Sequence, residues 1–425
     1  MLKFTSYIIP LLCFIGNTQA TWQNIPNSLT NQSNQRFDDV FFINENIGWA
    51  ANGAYAAVYK TINGGLSWTE QLTETQLGGN YYFRNIEFLN ENIGFLGTLN
   101  NELLKTIDGG SNWSVVSNIT PIPPAICGIE TSGDSTVYGC GAYFAPAFVI
   151  KSTDNGNTWQ YLDMSSYANA LVEVVFLNEN TGFVSGRNDN GGIILKTTDG
   201  GTSWSELYNT NTPGEYVWKM QVLENNNDVI FGAVSSVYPN NGSLIKTTDA
   251  GLNWSSFDAP ETDIQAVGFI NENKGWMGGH TTGFYETNNG GLSWTNLNIG
   301  NNLNRIFIIN SSLAFAGGTS LYKYTEETLN LEYSNEEKRN QLNLTLMQNP
   351  VKTLLEFTIE FPFHDNLLIE LYDIDGKFIK QLTRDRLSTK TTKQYSFSVE
   401  DLNSGTYLLN LHSNTGRQFI KFIKE

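Results

Sequence analysis

The sequence predicts an all-β protein, a seven-bladed β-propeller followed by a small β-sandwich. Two observations support this fold class. The 425 residues are rich in glycine (39 residues) and aromatic side chains (13%) and poor in charged ones (16%), a composition typical of short strands joined by tight turns. An internal repeat also runs through most of the chain, and such repeats indicate solenoids, propellers or arrays.

One half of the repeat is a ten-residue box such as "LKTTDGGTSW" at 195–204. Six copies end in a tryptophan, and successive tryptophans are separated by 45, 46, 45, 50 and 40 residues. This spacing is the length of a propeller blade. The six box tryptophans are Trp68, Trp113, Trp159, Trp204, Trp254 and Trp294.

The other half is an apolar run that stops at Asn-Glu-Asn and resumes with glycine and an aromatic residue, as in "FINENIGWAANG" from Phe42. Seven copies occur, three of them weak, and each predicts a hairpin. With the strands before and after the box, every unit has four short antiparallel strands. Trp22 lies 46 residues before Trp68 without a box of its own. We therefore expect the N-terminal strand to complete the last blade and close the ring over residues 21–324.

Within the box, the aspartate is expected to accept hydrogen bonds from the backbone of its own turn. Every unit needs such a fastening, whereas an active site needs one set of catalytic groups. The boxes resemble the Asp-box (BNR) repeats of sialidases and related propellers, and that resemblance implies a structural turn away from the active face. We interpret four aspartates as structural: Asp108, Asp154, Asp199 and Asp249. Four asparagines depart from the pattern, two at the aspartate and two at the hydroxyl position: Asn63, Asn289, Asn112 and Asn253.

The complete unit, "NEN-x-GW/F" followed by "KT-x-DGG-x-SW", resembles the seven-bladed Ycf48/HCF136-type propellers over about 300 residues. The resemblance implies a fold and a tendency to bind proteins. It does not carry over the photosystem II assembly role, against which the C-terminal region argues.

Three enzyme classes make different demands on the sequence. A sialidase needs an arginine triad and an early Arg-Ile-Pro motif, and the motif is absent. The three histidines are isolated, so neither a zinc site nor a histidine-based triad is predicted. A glycoside hydrolase of the endo-glucanase type, with two carboxylates about 5 to 9 Å apart in a central cleft, stays open as the alternative. We predict no catalytic residue, cofactor or metal.

A ligand-binding site is predicted at one end of the central channel, from residues placed just before the innermost strands. Aromatic and arginine side chains on exposed loops suit glycans or peptides, although ordinary packing of loop aromatics would explain them too. The candidates are Arg36, Tyr81, Arg84, Tyr216, Trp218 and Arg305. The function predicted is therefore a non-enzymatic module that binds a protein or glycan.

The net charge is −17. Ten basic and ten acidic residues cancel within 347–425, so the whole excess lies in the preceding chain. This shift indicates a domain boundary near residue 345. An acidic body repels phosphate groups, so nucleic acid and anionic lipid are not expected as partners.

Residues 1–20 have the features of a signal peptide, with cleavage expected after Ala20, and no later run predicts a transmembrane helix. Cys127 and Cys140 flank a predicted hairpin with its turn near Gly133-Asp134. Symmetric pairing about that turn would place the cysteines opposite each other. A disulfide and two buried free thiols are both open.

After a polar linker at 325–346, residues 347–425 alternate apolar runs with Asp-Gly and Ser-Gly turns, which indicates a β-sandwich. "NPV" from Asn349, "LYDIDGK" from Leu371, "LNSGTY" from Leu402 and the terminal "FIKFIKE" resemble the type A C-terminal sorting domain of the Bacteroidetes type IX secretion system. The resemblance implies recognition by that machinery, and a secreted or cell-surface protein. An accessory sandwich for adhesion is the alternative.

Overall fold

The computed structural model describes residues 20–25, 36–144, 146–326, 329, 343–361, 365–373, 377–387, 391–413 and 416–425. The chain divides into two compact units, Met1–Leu329 and Asn330–Glu425. The expected signal peptide lies outside the described residues except for Ala20, and so does most of the expected linker.

The described part of the first unit contains 28 strands and one short helix. The first fourteen strands are β1 (Thr21–Asn24), β2 (Phe37–Phe42), β3 (Gly48–Asn52), β4 (Ala57–Thr61), β5 (Thr69–Thr73), β6 (Phe83–Phe88), β7 (Gly94–Thr98), β8 (Leu103–Thr106), β9 (Ser114–Val115), β10 (Gly128–Ser132), β11 (Thr136–Gly141), β12 (Phe148–Ser152), β13 (Gln160–Asp163) and β14 (Ala170–Phe176). The other fourteen are β15 (Gly182–Asn188), β16 (Gly191–Thr197), β17 (Ser205–Asn209), β18 (Tyr216–Leu223), β19 (Asn226–Ser235), β20 (Ser243–Thr247), β21 (Ser255–Asp258), β22 (Ile264–Phe269), β23 (Gly275–Gly279), β24 (Tyr285–Thr287), β25 (Thr295–Asn296), β26 (Arg305–Asn310), β27 (Leu313–Gly317) and β28 (Leu321–Thr325). The helix is α1 (Glu74–Leu77).

These strands form seven four-stranded antiparallel sheets, which confirms the predicted seven-bladed propeller. Blades 1 to 6 take their strands consecutively, from β2–β5 to β22–β25. Blade 7 consists of β26, β27 and β28 with β1 on its outer edge. In that pairing Thr21 lies opposite Thr325 and Trp22 opposite Tyr324, so the N-terminal strand closes the ring as its tryptophan register predicted.

The core of the propeller lies between neighbouring blades and is built from stacked aromatic rings. Trp49 of blade 1 stacks on Phe88 of blade 2 at 3.6 Å between ring centroids, and Tyr138 stacks on Phe176 at the same distance. The glycine that opens the second strand makes room for the ring. A Cβ on Gly94 would lie 2.4 Å from the Phe88 ring, so any side chain there would clash with it.

The hairpin that carries the cysteines pairs one residue away from the expected register. Ser132 lies opposite Thr136, so the turn holds three residues rather than two. Cys140 then faces Gly128 instead of Cys127, and a shift of one residue turns side chains to opposite faces of a sheet. Both cysteines are buried free thiols. The structure thus matches the free-thiol interpretation, and the disulfide interpretation rested on the wrong register.

The second unit is a two-sheet sandwich, as predicted. Its strands are β29 (Asn343–Leu346), β30 (Leu354–Phe361), β31 (Asp365–Asp373), β32 (Phe378–Leu387), β33 (Thr391–Ser398), β34 (Gly405–Ser413) and β35 (Gly416–Lys424). One sheet has the order β29-β30-β33 and the other β32-β31-β34-β35. Both sheets contribute to one buried core, for example Phe357 from the first and Leu371, Leu409 and Phe422 from the second.

Candidate functional site

Each box forms a closed turn that its own side chains hold. In blade 4, Asp199 accepts hydrogen bonds from the Ser203 backbone N–H (2.9 Å) and hydroxyl (2.6 Å). Thr197 donates its hydroxyl to the same carboxylate and accepts the N–H of Gly201. Trp204 donates its indole N–H to the Gly201 carbonyl at 3.1 Å. Gly201 has a φ of +89°, a conformation that favours glycine.

Ionisation of the box aspartates follows from these bonds. The side-chain and backbone bonds from Ser203 lower the pKa of Asp199 to about 2, and the equivalent bonds from Thr158 lower the pKa of Asp154 to about 2. The boxes lie between the third and fourth strands of blades 1 to 6. Since successive strands alternate in direction, this is the end of the ring where the inner strands finish, opposite the predicted binding end.

At the end where the inner strands begin, two predicted arginines share one carboxylate. Asp38 accepts from Arg36 and, at 3.1 Å, from Arg84. Arg36 also reaches Gln265 of blade 6 and Tyr82, which precedes blade 2. This mouth of the channel is therefore spanned by hydrogen bonds that join blades 1, 2 and 6.

Two more predicted residues complete a stacked array, which we call the mouth ladder: Arg84, Trp218, Tyr216 and Arg187. The Arg84 guanidinium lies 5.7 Å from the Trp218 ring centroid, and Trp218 contacts Tyr216 edge-on at 5.3 Å. Arg187 then lies 4.6 Å from the Tyr216 centroid. The ladder joins blades 2, 5 and 4, with a cation at each end of an aromatic pair.

The mouth ladder also holds three N–H donors with no hydrogen-bond partner among the described residues. They are the Nη2 of Arg84, the Nε of Arg187 and the Nε1 of Trp218, and all three atoms are buried. The Arg84 side chain is only 4% exposed. Buried donors are normally paired, so these atoms are suited to a ligand that brings acceptor oxygens.

Exposed aromatic rings lie beside the ladder. Tyr216 donates its hydroxyl to the backbone carbonyl of Tyr143 at 2.5 Å, and Tyr143 and Phe144 are 41% and 49% exposed. Tyr81 is not part of this group, because its hydroxyl bonds to Glu102 at 2.9 Å and its ring packs against Phe83.

Arg305 was predicted at the mouth but points into the channel. Its guanidinium contacts Glu173 at 2.8 Å and Asp39 at 3.4 Å. Lys219 contacts the other oxygen of Glu173 at 2.5 Å. Burial lowers the pKa of Lys219, and the Glu173 carboxylate opposes this effect. We call Asp39, Glu173, Lys219 and Arg305 the channel ion network; it crosses the ring from blade 1 to blades 4, 5 and 7.

Arg84, Tyr216, Trp218 and Arg305 lie inside the inner strands rather than before them. Sequence reasoning also missed the acidic members of the site. Their signal was a charged residue within an otherwise apolar inner strand, as in "FDDVFF" of β2 or "ALVEVVF" of β14. All four arginines of residues 21–324 lie in or at the channel: Arg36, Arg84, Arg187 and Arg305.

Two family profiles match the chain. The one described as photosynthesis system II assembly factor YCF48 matches residues 16–138 and 144–259, more than half of the chain. The chain belongs to the YCF48 family. The one described as a secretion system C-terminal sorting domain matches residues 349–425, so the propeller of this YCF48 family member is followed by a type IX sorting tail that implies export.

Solved structures agree with the fold. "YCF48 bound to D1 peptide" is 18% identical, with a TM-score of 0.55 over 72% of this chain and 96% of that one. PorZ, a surface component of the type IX secretion system of Porphyromonas gingivalis, is 14% identical, with a TM-score of 0.52 over 94% of this chain and 61% of that one. An ancestral GH74 enzyme is 14% identical, with a TM-score of 0.55 over 94% and 63%. No curated protein matches the sequence.

The described residues contain no helix with the length and hydrophobicity needed to cross a membrane. They also contain no group of three or more histidine, cysteine, aspartate or glutamate side chains placed to hold a metal ion.

Proposed function

We propose that this chain is a non-catalytic propeller, released or displayed at the bacterial surface, whose channel mouth binds acidic groups of a protein or glycan. The observation that carries the proposal is the mouth ladder, with three buried N–H donors that lack a partner. Arginine and indole N–H groups bind carboxylate oxygens well. The exposed rings of Tyr143 and Phe144 add an apolar surface beside them.

Charge distribution supports an acidic ligand at this place. The chain has a net charge of −17, yet three arginines lie at the mouth: Arg36 and Arg84, which pair with Asp38, and Arg187, which lies on the Tyr216 ring. Glu261 and Asp263 lie near the first two, since all four act on His280. A cluster of arginines on an acidic body attracts anionic ligands to one place on its surface. The YCF48 structure named as bound to a D1 peptide supports a peptide as one class of ligand.

Export supports a surface role. A sorting tail places the working propeller outside the outer membrane, and the signal peptide expected at 1–20 would supply the first step. In this proposal the tail at 347–425 is the contact with the secretion machinery, and the propeller is the cargo.

The hydrolase alternative would rest on carboxyl groups in the channel that form no ion pair in the described part of the chain. Arginines neutralise Asp38 at the mouth, and Lys219 and Arg305 hold Glu173 in the channel ion network. The carboxyls of Glu87 and Glu130 form no ion pair among the described residues, although Arg305 lies near enough to oppose the rise in pKa that burial causes in both. Burial raises the pKa of Glu130 to about 8, which is a property of a general acid.

A binding screen with matched variants tests the proposal. The full chain and its Trp218→Ala and Arg187→Gln variants are applied to arrays of peptides and glycans with and without acidic groups. We expect binding to acidic members, and a loss of at least about tenfold in affinity, ~1.4 kcal/mol, in either variant. Tyr81→Phe is the control, since Tyr81 faces Glu102. Equal binding to neutral members, or full affinity in both ladder variants, would sink the proposal.

A further inference from the structure

The far end of the channel contains a cavity whose lining includes none of the mouth-ladder residues. It has a volume of about 390 Å³ and lies where the inner strands end. The apolar part of its wall includes Val175, Phe307 and Ile309, all partly exposed. Its polar part includes Glu87 and Glu130. One cavity thus combines hydrocarbon walls with these two carboxyl groups, those of Glu173 and Glu224, and the cations Lys219 and Arg305.

The two cations inside the channel, Lys219 and Arg305, already form ion pairs. Lys219 bonds to Glu173, and Arg305 bridges Glu173 and Asp39. Glu87 and Glu130 form no ion pair among the described residues. The four carboxyls of this region that are buried or partly buried belong to Asp39, Glu87, Glu130 and Glu173, and the two cations are Lys219 and Arg305. Full ionisation of all six groups would leave an excess of two negative charges. Such an excess must be removed by protons or by a cationic ligand.

Hydrogen bonds leave part of this pair unsatisfied. Glu87 is 7% exposed, and its Oε1 accepts the Thr131 hydroxyl at 3.2 Å. Its other oxygen has no hydrogen-bond partner among the described residues. Two carboxyls with free acceptor capacity, lining a cavity, suit a ligand that carries several N–H donors on one positive centre.

Burial favours the neutral, protonated form of both carboxyls. Burial and then the neighbouring Glu130 raise the pKa of Glu87 well above its ordinary value. Burial raises the pKa of Glu130 to about 8, while Arg305 opposes the shift and Glu173 adds to it. Lys219, Asp39 and the exposed Glu224 are the other charged groups of this region.

We propose that the cavity binds a primary ammonium group on an apolar stem, with the ammonium between Glu87 and Glu130 and the stem against Val175 and Phe307. An ammonium supplies three donors and one charge, which match the free acceptor oxygens. The hydrocarbon wall favours an alkyl or arylalkyl stem by removing its apolar surface from water. The site is separate from the mouth ladder and does not depend on the ligand proposed there.

Calorimetry on the full chain tests this site with n-butylammonium as the probe and n-butanol as its uncharged control. Below pH 8 we expect binding to release protons, because a bound ammonium favours the ionised carboxyls. The release is measured as the dependence of the binding heat on the ionisation enthalpy of the buffer. Affinity should rise as the pH is raised from 6 to 8. Butanol binding as tight as the amine, or no heat from the amine, would overturn the proposal.

Two variants separate the site from general effects. Glu130→Gln replaces a carboxyl whose pKa burial raises to about 8 by a neutral amide of similar size, so it should fold, and it should weaken amine binding by at least about tenfold. Val175→Lys places an ammonium on the wall of the cavity, and it should raise the thermal midpoint and block the probe. Unchanged affinity in both variants would refute the proposal.

A comparison of two ligands distinguishes a lysine side chain from a free amine as the source of the ammonium group. Nα-acetyl-lysinamide has the same alkylammonium head as the probe, attached to a peptide backbone. Binding as tight as that of n-butylammonium would support a lysine side chain of a partner, and weaker binding would support a free amine.

Discussion

Replacement of Glu173 by alanine is expected to destabilise the propeller by about 3–5 kcal/mol, since it leaves buried cations without their partner. Glu173 is the centre of the channel ion network and holds both Lys219 and Arg305. The side chains of Glu173 and Lys219 are each 4% exposed, so the cations that lose their partner stay largely shielded from solvent. All ten tryptophans lie between 22 and 294, so fluorescence during urea unfolding reports on the propeller alone.

The free energy of unfolding of the Glu173→Ala variant should also depend on pH. Burial already lowers the pKa of Lys219, and loss of Glu173 should lower it further. The unfolded chain then binds this proton more tightly than the folded chain, so stability should rise with pH up to the ordinary lysine pKa of about 10.4.

A double variant provides the control for Glu173. Glu173→Met with Lys219→Met replaces the pair by apolar side chains, and this should recover part of the loss. A Glu173→Ala variant as stable as the natural chain, at every pH, would contradict the account of the ion network.

Replacement of Trp22 by alanine is expected to cost about 3–5 kcal/mol, because it opens a large cavity at the closure of the ring. Trp22 is 2% exposed. It stacks on Phe284 of blade 6 at 4.2 Å and contacts Trp276 edge-on at 5.5 Å. The loss should appear in the same urea experiment as a lower midpoint.

The indole N–H of Trp22 has no hydrogen-bond partner among the described residues. Trp22→Phe removes that group and keeps an aromatic ring, so it should cost clearly less than alanine. Equal losses in the two variants would show that ring stacking does not hold the closing strand.

The blades could be predicted because their sequence signals are local. Each signal lies within about a dozen residues: a turn at Asn-Glu-Asn, a glycine next to an aromatic ring, and a box whose side chains bond to its own backbone. The repeat provides several copies of each signal, which makes it easier to recognise. Closure was predictable for the same reason, since Trp22 occupies the register of a box tryptophan. The cysteine hairpin failed because a turn of two or three residues is a local choice that the flanking strands do not reveal.

The site was less predictable because its contacts join distant blades. Arg84 and Trp218 are 134 positions apart in the sequence, and no periodicity shows that they stack. Arg305 was correctly associated with the channel, but its depth depends on Asp39 and Glu173, which come from other blades. Charged residues inside apolar inner strands were the available signal. They indicate which residues line the channel but do not predict which side chains form ion pairs.

The central claim, a propeller that binds without cleaving, is tested most directly by product formation. The full chain is incubated with a broad panel of soluble glycans and the mixtures are followed by mass spectrometry. The account predicts that every glycan stays intact, including those that the mouth retains. Cleavage of any glycan by the natural chain, lost in Glu87→Gln or Glu130→Gln variants that remain folded, would contradict it and establish a hydrolase in the channel.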